Sequence, residues 1–148
     1  MADSIREQII QAVAARMAVI RTASGYHTDC GQNVSRCIPF TDASHLPRIS
    51  IWPKSENYTL TASGYLHAQM KLDIEAHSVI GNLPVSVLVE QMLADLLRAT
   101  GYPPGICSLV DDMTLDSGGV STYPGVGDRV AATLVSLTVT YQFPFGEP

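Results

Sequence analysis

The sequence predicts an α+β domain, a mostly antiparallel sheet with two main helices packed on one face. Two alternating runs and one helical run predict it. In Tyr65 to His77, YLHAQMKLDIEAH, the apolar residues Leu66, Ala68, Met70, Leu72, Ile74 and Ala76 alternate with His67, Gln69, Lys71, Asp73, Glu75 and His77. Successive strand side chains point to opposite faces, so this run reads as a long strand with one dry face and one wet face. A second such run ends the chain, with Thr133, Val135, Leu137, Val139, Tyr141 and Phe143 set against Leu134, Ser136, Thr138, Thr140 and Gln142. A sheet wet on one side is covered on the other only, which favours antiparallel pairing over a parallel sheet buried on both faces. Between the two runs, Val85, Leu88, Val89, Met92, Leu93, Leu96 and Leu97 recur at helical spacing.

In chain order, residues 4–21 read as a helix. Ser4 and Glu7 form a capping box, and Ile5, Ile9, Val13 and Met17, flanked by Ile10 and Ile20, make one stripe. Residues 22–47 read as irregular, with Asp29-Cys30-Gly31 a candidate hairpin tip. RISIW at 48–52 reads as a short strand stopped by Pro53. Residues 54–64 read as a loop or weak hairpin arm, and the long strand 65–77 follows. The second helix is predicted over 83–100, with Pro84 at its first position, Gly101 ending it and Pro103-Pro104 forbidding continuation. Residues 107–115 read as a strand broken at two aspartates and 116–128 as a glycine-rich loop. A strand over 129–143 closes the domain.

A length of 148 residues fits one domain, residues 1–148, with 46% hydrophobic residues to build a core. The net charge of −5 argues against a general nucleic-acid binder, which needs clustered Lys and Arg. Residues 1–54 hold six basic residues (Arg6, Arg16, Arg21, Arg36, Arg48, Lys54) against four acidic ones, whereas residues 55–148 hold three against ten. Such a pole can face a partner, or it can be a solvated surface. Three cysteines and charges at Asp3, Arg6 and Glu7 predict free thiols in a reducing compartment, with neither a signal sequence nor a membrane span.

Chemistry-bearing motifs are sparse. His27, Cys30, Cys37 and His45 carry metal-ligating groups as H-x2-C-x6-C-x7-H, a spacing that matches no zinc pattern. Cys30 stands beside Asp29, the wrong charge for an activated thiolate, and Cys107 opens an apolar run. There is no G-x-S-x-G elbow, and Gly125-Val126-Gly127 is not followed by a helix. Asp111, Asp112, Asp116 and Asp128 offer hard oxygens without EF-hand spacing, so solvated loop carboxylates are the default. No catalytic residue, cofactor or dedicated metal site is expected. His67 and His77 are placed on the wet face of the long strand.

The ordered set GYHTDCGQNV, LPRISIW, YLHAQMKLDIEA, VSVLVEQMLADLL, LVDDMTLDSGG and VAATLVSLTVTYQFPFGEP, behind an amphipathic N-terminal helix, resembles the tail terminator proteins of long-tailed bacteriophages. These are also known as minor tail or tail completion proteins, and the likeness spans nearly the whole chain. The resemblance implies a homo-hexameric ring of α+β subunits that caps the tail tube, ends its elongation and offers a surface to the head-side connector. It implies no catalysis and no cofactor. The partners implied are further copies of the chain, the tail tube protein and the connector, with DNA passing through without specific binding and no membrane contact. The implied location is the virion tail, assembled in the host bacterial cytoplasm. The four aspartates named above would then lie at subunit seams or along the channel. A different head–tail connector is the alternative within this class, and a small enzyme using the 27–45 arm or a ligand-binding module are the alternatives outside it.

Overall fold

In the computed structural model, which describes residues 3–37, 46–101, 108–125 and 128–147, two helices lie against one face of a five-stranded sheet. The elements are α1 (Ile5–Met17), β1 (Val34–Arg36), β2 (Arg48–Leu60), β3 (Tyr65–Val79), α2 (Val85–Thr100), β4 (Asp112–Thr122) and β5 (Val130–Pro144). The sheet order is β1-β2-β3-β5-β4. Every pairing is antiparallel except that of β1 with β2, which is parallel over three residues. The α+β expectation therefore holds, and the buried side chains form one cluster. Ile9, Ile10, Val13 and Met17 of α1 meet Leu88, Val89, Met92 and Leu96 of α2 over Met70, Leu72, Ile74, Val135, Leu137 and Val139 of the sheet.

Period-two alternation places β3 and β5 as expected. Ala68, Met70, Leu72, Ile74 and Ala76 are buried on the dry face, while Gln69 and Lys71 are exposed. The two strands run in register over their full length, from Tyr65 opposite Pro144 to Val79 opposite Val130.

Element ends depart from the sequence reading for physical reasons. Ser4 caps α1, its Oγ accepting from the Glu7 amide at 3.1 Å, yet the Glu7 carboxylate turns to Arg36 and does not close the box. The helix ends at Met17 and not at 21. Ile20 stays buried on an unwound turn, and the Gly31 amide donates to its carbonyl at 2.9 Å. A Cβ on Gly31 would lie 2.5 Å from the Met17 carbonyl oxygen, so this closure needs glycine. Asp29-Cys30-Gly31 is thus no hairpin tip, because Cys30–Gln32 forms a short 3-10 turn tucked against the end of α1.

Pro53 does not stop β2. Among the described residues nothing pairs with the outer edge of β2 beyond Ile51, so the missing N–H breaks no ladder, and the register shift between Pro53 and Glu56 absorbs the irregularity. Residues 54–60 become the arm of a long β2–β3 hairpin. The glycine-rich stretch at 116–122 is strand as well. Gly118 faces α2, where a Cβ would make ordinary contact with the Leu93 side chain at 3.4 Å. The strand expected from Cys107 begins at Asp112, and Cys107 itself lies outside the described residues. Pro84 is the N-cap of α2 and not its first helical residue.

Candidate functional site

The wet face of the sheet carries no helix among the described residues, and its polar side chains form two adjoining hollows. A groove of about 400 Å³ is lined by Glu75, His77, Thr122, Asp128, Arg129 and Val130. A second, of about 320 Å³, is lined by Trp52, Lys54, Asp73, Glu75 and Leu134, so Glu75 borders both. Antiparallel register builds this cluster. Glu75 on β3 stands beside Ser50 on β2 and Leu134 on β5, one row from the Trp52, Asp73 and Ser136 row.

Most of the polar groups there are engaged. Ser121 Oγ donates to Glu75 at 2.8 Å, and Ser136 Oγ donates to Asp73 at 2.7 Å. Lys54 Nζ lies 3.9 Å from Asp73 and 5.8 Å from the centre of the Trp52 ring. His77 Nε2 stands 3.3 Å from the Glu75 carboxylate. Burial pushes the His77 pKa below its ordinary value, Glu75 pulls it back up and Arg48 lowers it further. His77 does lie on the wet face, yet it is buried at 8% exposure, unlike the open position expected for it. Its Nε2 faces the Glu75 carboxylate and not a hydroxyl or thiol. Cations at Arg48, Lys54 and Arg129 nearly balance the acids at Asp73, Glu75 and Asp128.

The four aspartates singled out in the sequence fall on one flank of the sheet but not at one point. Asp112, at the start of β4, accepts from the Met113 amide at 2.9 Å, and the Asp111 amide donates to the Thr140 carbonyl at 2.8 Å. Asp116 bulges out of β4, between Leu115 and Ser117, and accepts from Thr138 Oγ1 at 2.6 Å. Asp128 accepts from the Gly125 amide at 3.1 Å, beyond the opposite end of β4. Asp112 pairs with Thr140 and Thr122 with Ala132, so at roughly 3.4 Å per residue the strand holds its two ends more than 25 Å apart. They line an edge and do not converge on one ion.

The arm that carries His27, Cys30 and Cys37 is structural. Asp95 of α2, 1% exposed, accepts from the His27 amide at 3.0 Å, the Thr28 amide at 2.8 Å and Thr28 Oγ1 at 2.6 Å. Arg98, one helical turn on, donates to the Gly25 carbonyl at 2.8 Å and stacks on Tyr26. Asp29 accepts from the Thr22 amide and hydroxyl, which holds its carboxyl below the usual range. Burial pushes the Cys30 thiol up to about 11, so it is a core residue and not a nucleophile. Cys37 is exposed, at φ 56°, and His45 lies outside the described residues. The described residues hold no group of three or more His, Cys, Asp or Glu placed for a metal ion. Hydrogen bonds to α2 and to the end of α1 thus hold the irregular stretch.

Glu56, unremarkable in the sequence, is the other polar joint. It accepts from Arg6 Nε at 3.0 Å, from Tyr141 Oη at 2.6 Å and from Tyr58 Oη, which ties the start of α1 to the far end of the sheet. Burial and the Glu56 carboxylate together push the Tyr141 pKa far up. For Asp95 the legible signal was an acid within the apolar stripe of α2.

No protein-family model matches the chain, and no curated protein matches it either. Among the described residues no helix is long and apolar enough to cross a membrane.

Proposed function

We propose that the chain is a structural subunit of a phage virion that forms a six-fold ring on the end of the tail tube, stops its elongation and presents the surface for head joining. The observation that carries this reading is the arrangement of the sheet. The outer edges of two long strands, β2 beyond Ile51 and β4, stand without partners among the described residues, and the face opposite the helices is largely polar and carries no helix among those residues. Such edges are a hazard for an isolated monomer and an asset for a subunit of a closed assembly. Further support comes from the resemblance. Its most characteristic segment, GYHTDCGQNV, has its polar groups held by α2 and by backbone, so it acts as a fold signature and needs no reactive role. In this reading the protein is not an enzyme and uses no cofactor. Its partners are further copies of itself, the tail tube protein and the head-side connector, and DNA passes the acidic ring without specific binding. It acts in the virion tail after assembly in the bacterial host.

The test is mass by light scattering over a range of concentrations, followed by electron microscopy with purified tail tubes. A closed oligomer seated on tube ends is expected. A protein that stays monomeric with and without tubes sinks the proposal.

A further inference from the structure

We propose that copies of this chain join edge to edge, with residues 58–60 of β2 in one copy pairing antiparallel with residues 113–115 of β4 in the next. The inference rests on the ring reading and specifies its seam.

Strand direction is the first argument. Across β2, β3, β5 and β4 every neighbour is antiparallel, so β2 and β4 run in opposite directions. A second copy set beside the first in the same orientation brings its β2 next to β4 with the alternation unbroken. Its main-chain groups then fill the vacant ladder on both edges.

Side chains supply the register. On the dry face, beyond the cover of the helices, Tyr58 is 55% exposed, Leu60 61% and Leu115 49%. Tyr58 stands beside Ala68, Leu60 beside Leu66 and Leu115 beside Leu137, so all three belong to the dry face. Placing Tyr58 opposite Leu115 puts Leu60 opposite Met113 on that face and Thr59 opposite Thr114 on the other. Apolar and Thr–Thr pairs of this kind stabilise antiparallel ladders. The bulge at Asp116 and the turn after Leu60 then bound the paired segment.

Charge selects a second copy in head-to-tail order. The β4 edge carries Asp111, Asp112 and Asp116 with no ion pair among the described residues. The β2 edge carries Lys54, whose nearest carboxylate is 3.9 Å away, and Glu56, whose charge is already met by Arg6. Joining β4 to β4 across a two-fold axis would set six carboxylates against each other, whereas joining β4 to the uncharged run Tyr58-Thr59-Leu60 of β2 avoids that clash.

The experiment places cysteines at both edges, Tyr58→Cys with Leu115→Cys in one chain, with Cys37 and Cys107 changed to Ser. After mild oxidation at the concentration where the native protein assembles, we expect a disulfide-linked ladder of several copies on denaturing gels, with neither single variant giving it. Leu60→Asp and Leu115→Lys in the otherwise native chain keep the test open if the double variant fails to fold. Each is expected to raise the concentration of half-assembly about tenfold, while circular dichroism stays unchanged. A closed oligomer with no link and no response to either charge overturns the seam and leaves the ring reading standing. A ladder without a closed oligomer keeps the seam and removes the ring. Efficient dimers from Leu115→Cys alone show β4-to-β4 pairing and overturn the inference.

Discussion

At the α1 side of the sheet, charged groups close on one another. Arg6 holds Glu56, Arg36 takes Glu7 in a two-pronged contact and Asp95 gathers the 27–28 backbone. At the β4 side, Asp112, Asp116 and Asp128 meet only amides and a hydroxyl. The basic surplus of residues 1–54 is therefore largely consumed inside the subunit, while the acidic surplus of the later residues remains on the surface. A charge pole counted along a chain need not be a pole in space. Here one side uses its charges to lock the fold and the other leaves them available to a neighbour.

The contrast breaks most severely at Asp95. Asp95→Ala strands two amides and a hydroxyl in a buried joint and is expected to cost about 4 kcal/mol, read as a lower urea midpoint. A loss within about 0.5 kcal/mol would mean that water replaces the carboxylate and that this side is not locked. Gly31→Ala comes next. Its new methyl meets the carbonyl oxygens of Met17 at 2.5 Å and Ile20 at 2.7 Å. Because backbone cannot yield as a flexible side chain does, about 3 kcal/mol is expected in the same assay. Glu56→Gln keeps shape while removing the charge that faces Arg6 and Tyr141, and about 1–2 kcal/mol is expected.

The opposite side should respond in the opposite manner. Changing Asp111, Asp112 and Asp116 together to Asn should leave the urea midpoint within about 0.5 kcal/mol of the parent, since no ion pair or buried contact is lost. The change should appear in association instead. Light scattering against sodium chloride tells the two apart. If the triple variant unfolds early, these aspartates belong to the fold and the comparison fails.

How far the sequence foretold this molecule depends on the range of the forces involved. β3, β5 and α2 were legible because a buried face repeats every two or 3.6 residues, and burial dominates their placement. β4 was legible only at its start, since 107–115 read as strand while Gly118 and Gly119 read as loop. Pro53 misled for a related reason, because its effect depends on whether an outer neighbour exists. The polar joints were least legible. Asp95 meets His27 and Thr28 across 68 and 67 residues, and Glu56 meets Tyr141 across 85. Local pattern carries no trace of pairings at such separation. The aspartates read as solvated loop carboxylates, but their spread along the sheet needed the strand to be known.

The smallest expected effect concerns the wet face, at His77. Burial is the largest influence on it and lowers its pKa from the ordinary 6.5, with Glu75 opposing and Arg48 assisting. Asp128 and Arg129, with opposite charges, line the same groove. A histidine whose folded pKa is depressed binds its proton more readily when unfolded. Its contribution to stability is therefore complete above the ordinary value and declines as pH falls through 6.5 towards the lower folded value. Urea midpoints taken from about pH 7.5 down to about pH 5 should then fall less steeply for His77→Gln than for the parent. Carboxylates such as Glu7, which Arg36 holds below its ordinary value, lose their contribution only at lower pH, below this window. If the parent instead gains stability relative to His77→Gln as pH falls, the Glu75 carboxylate outweighs burial. The groove would then be a site that grips a proton, and the wet face would strengthen on acidification.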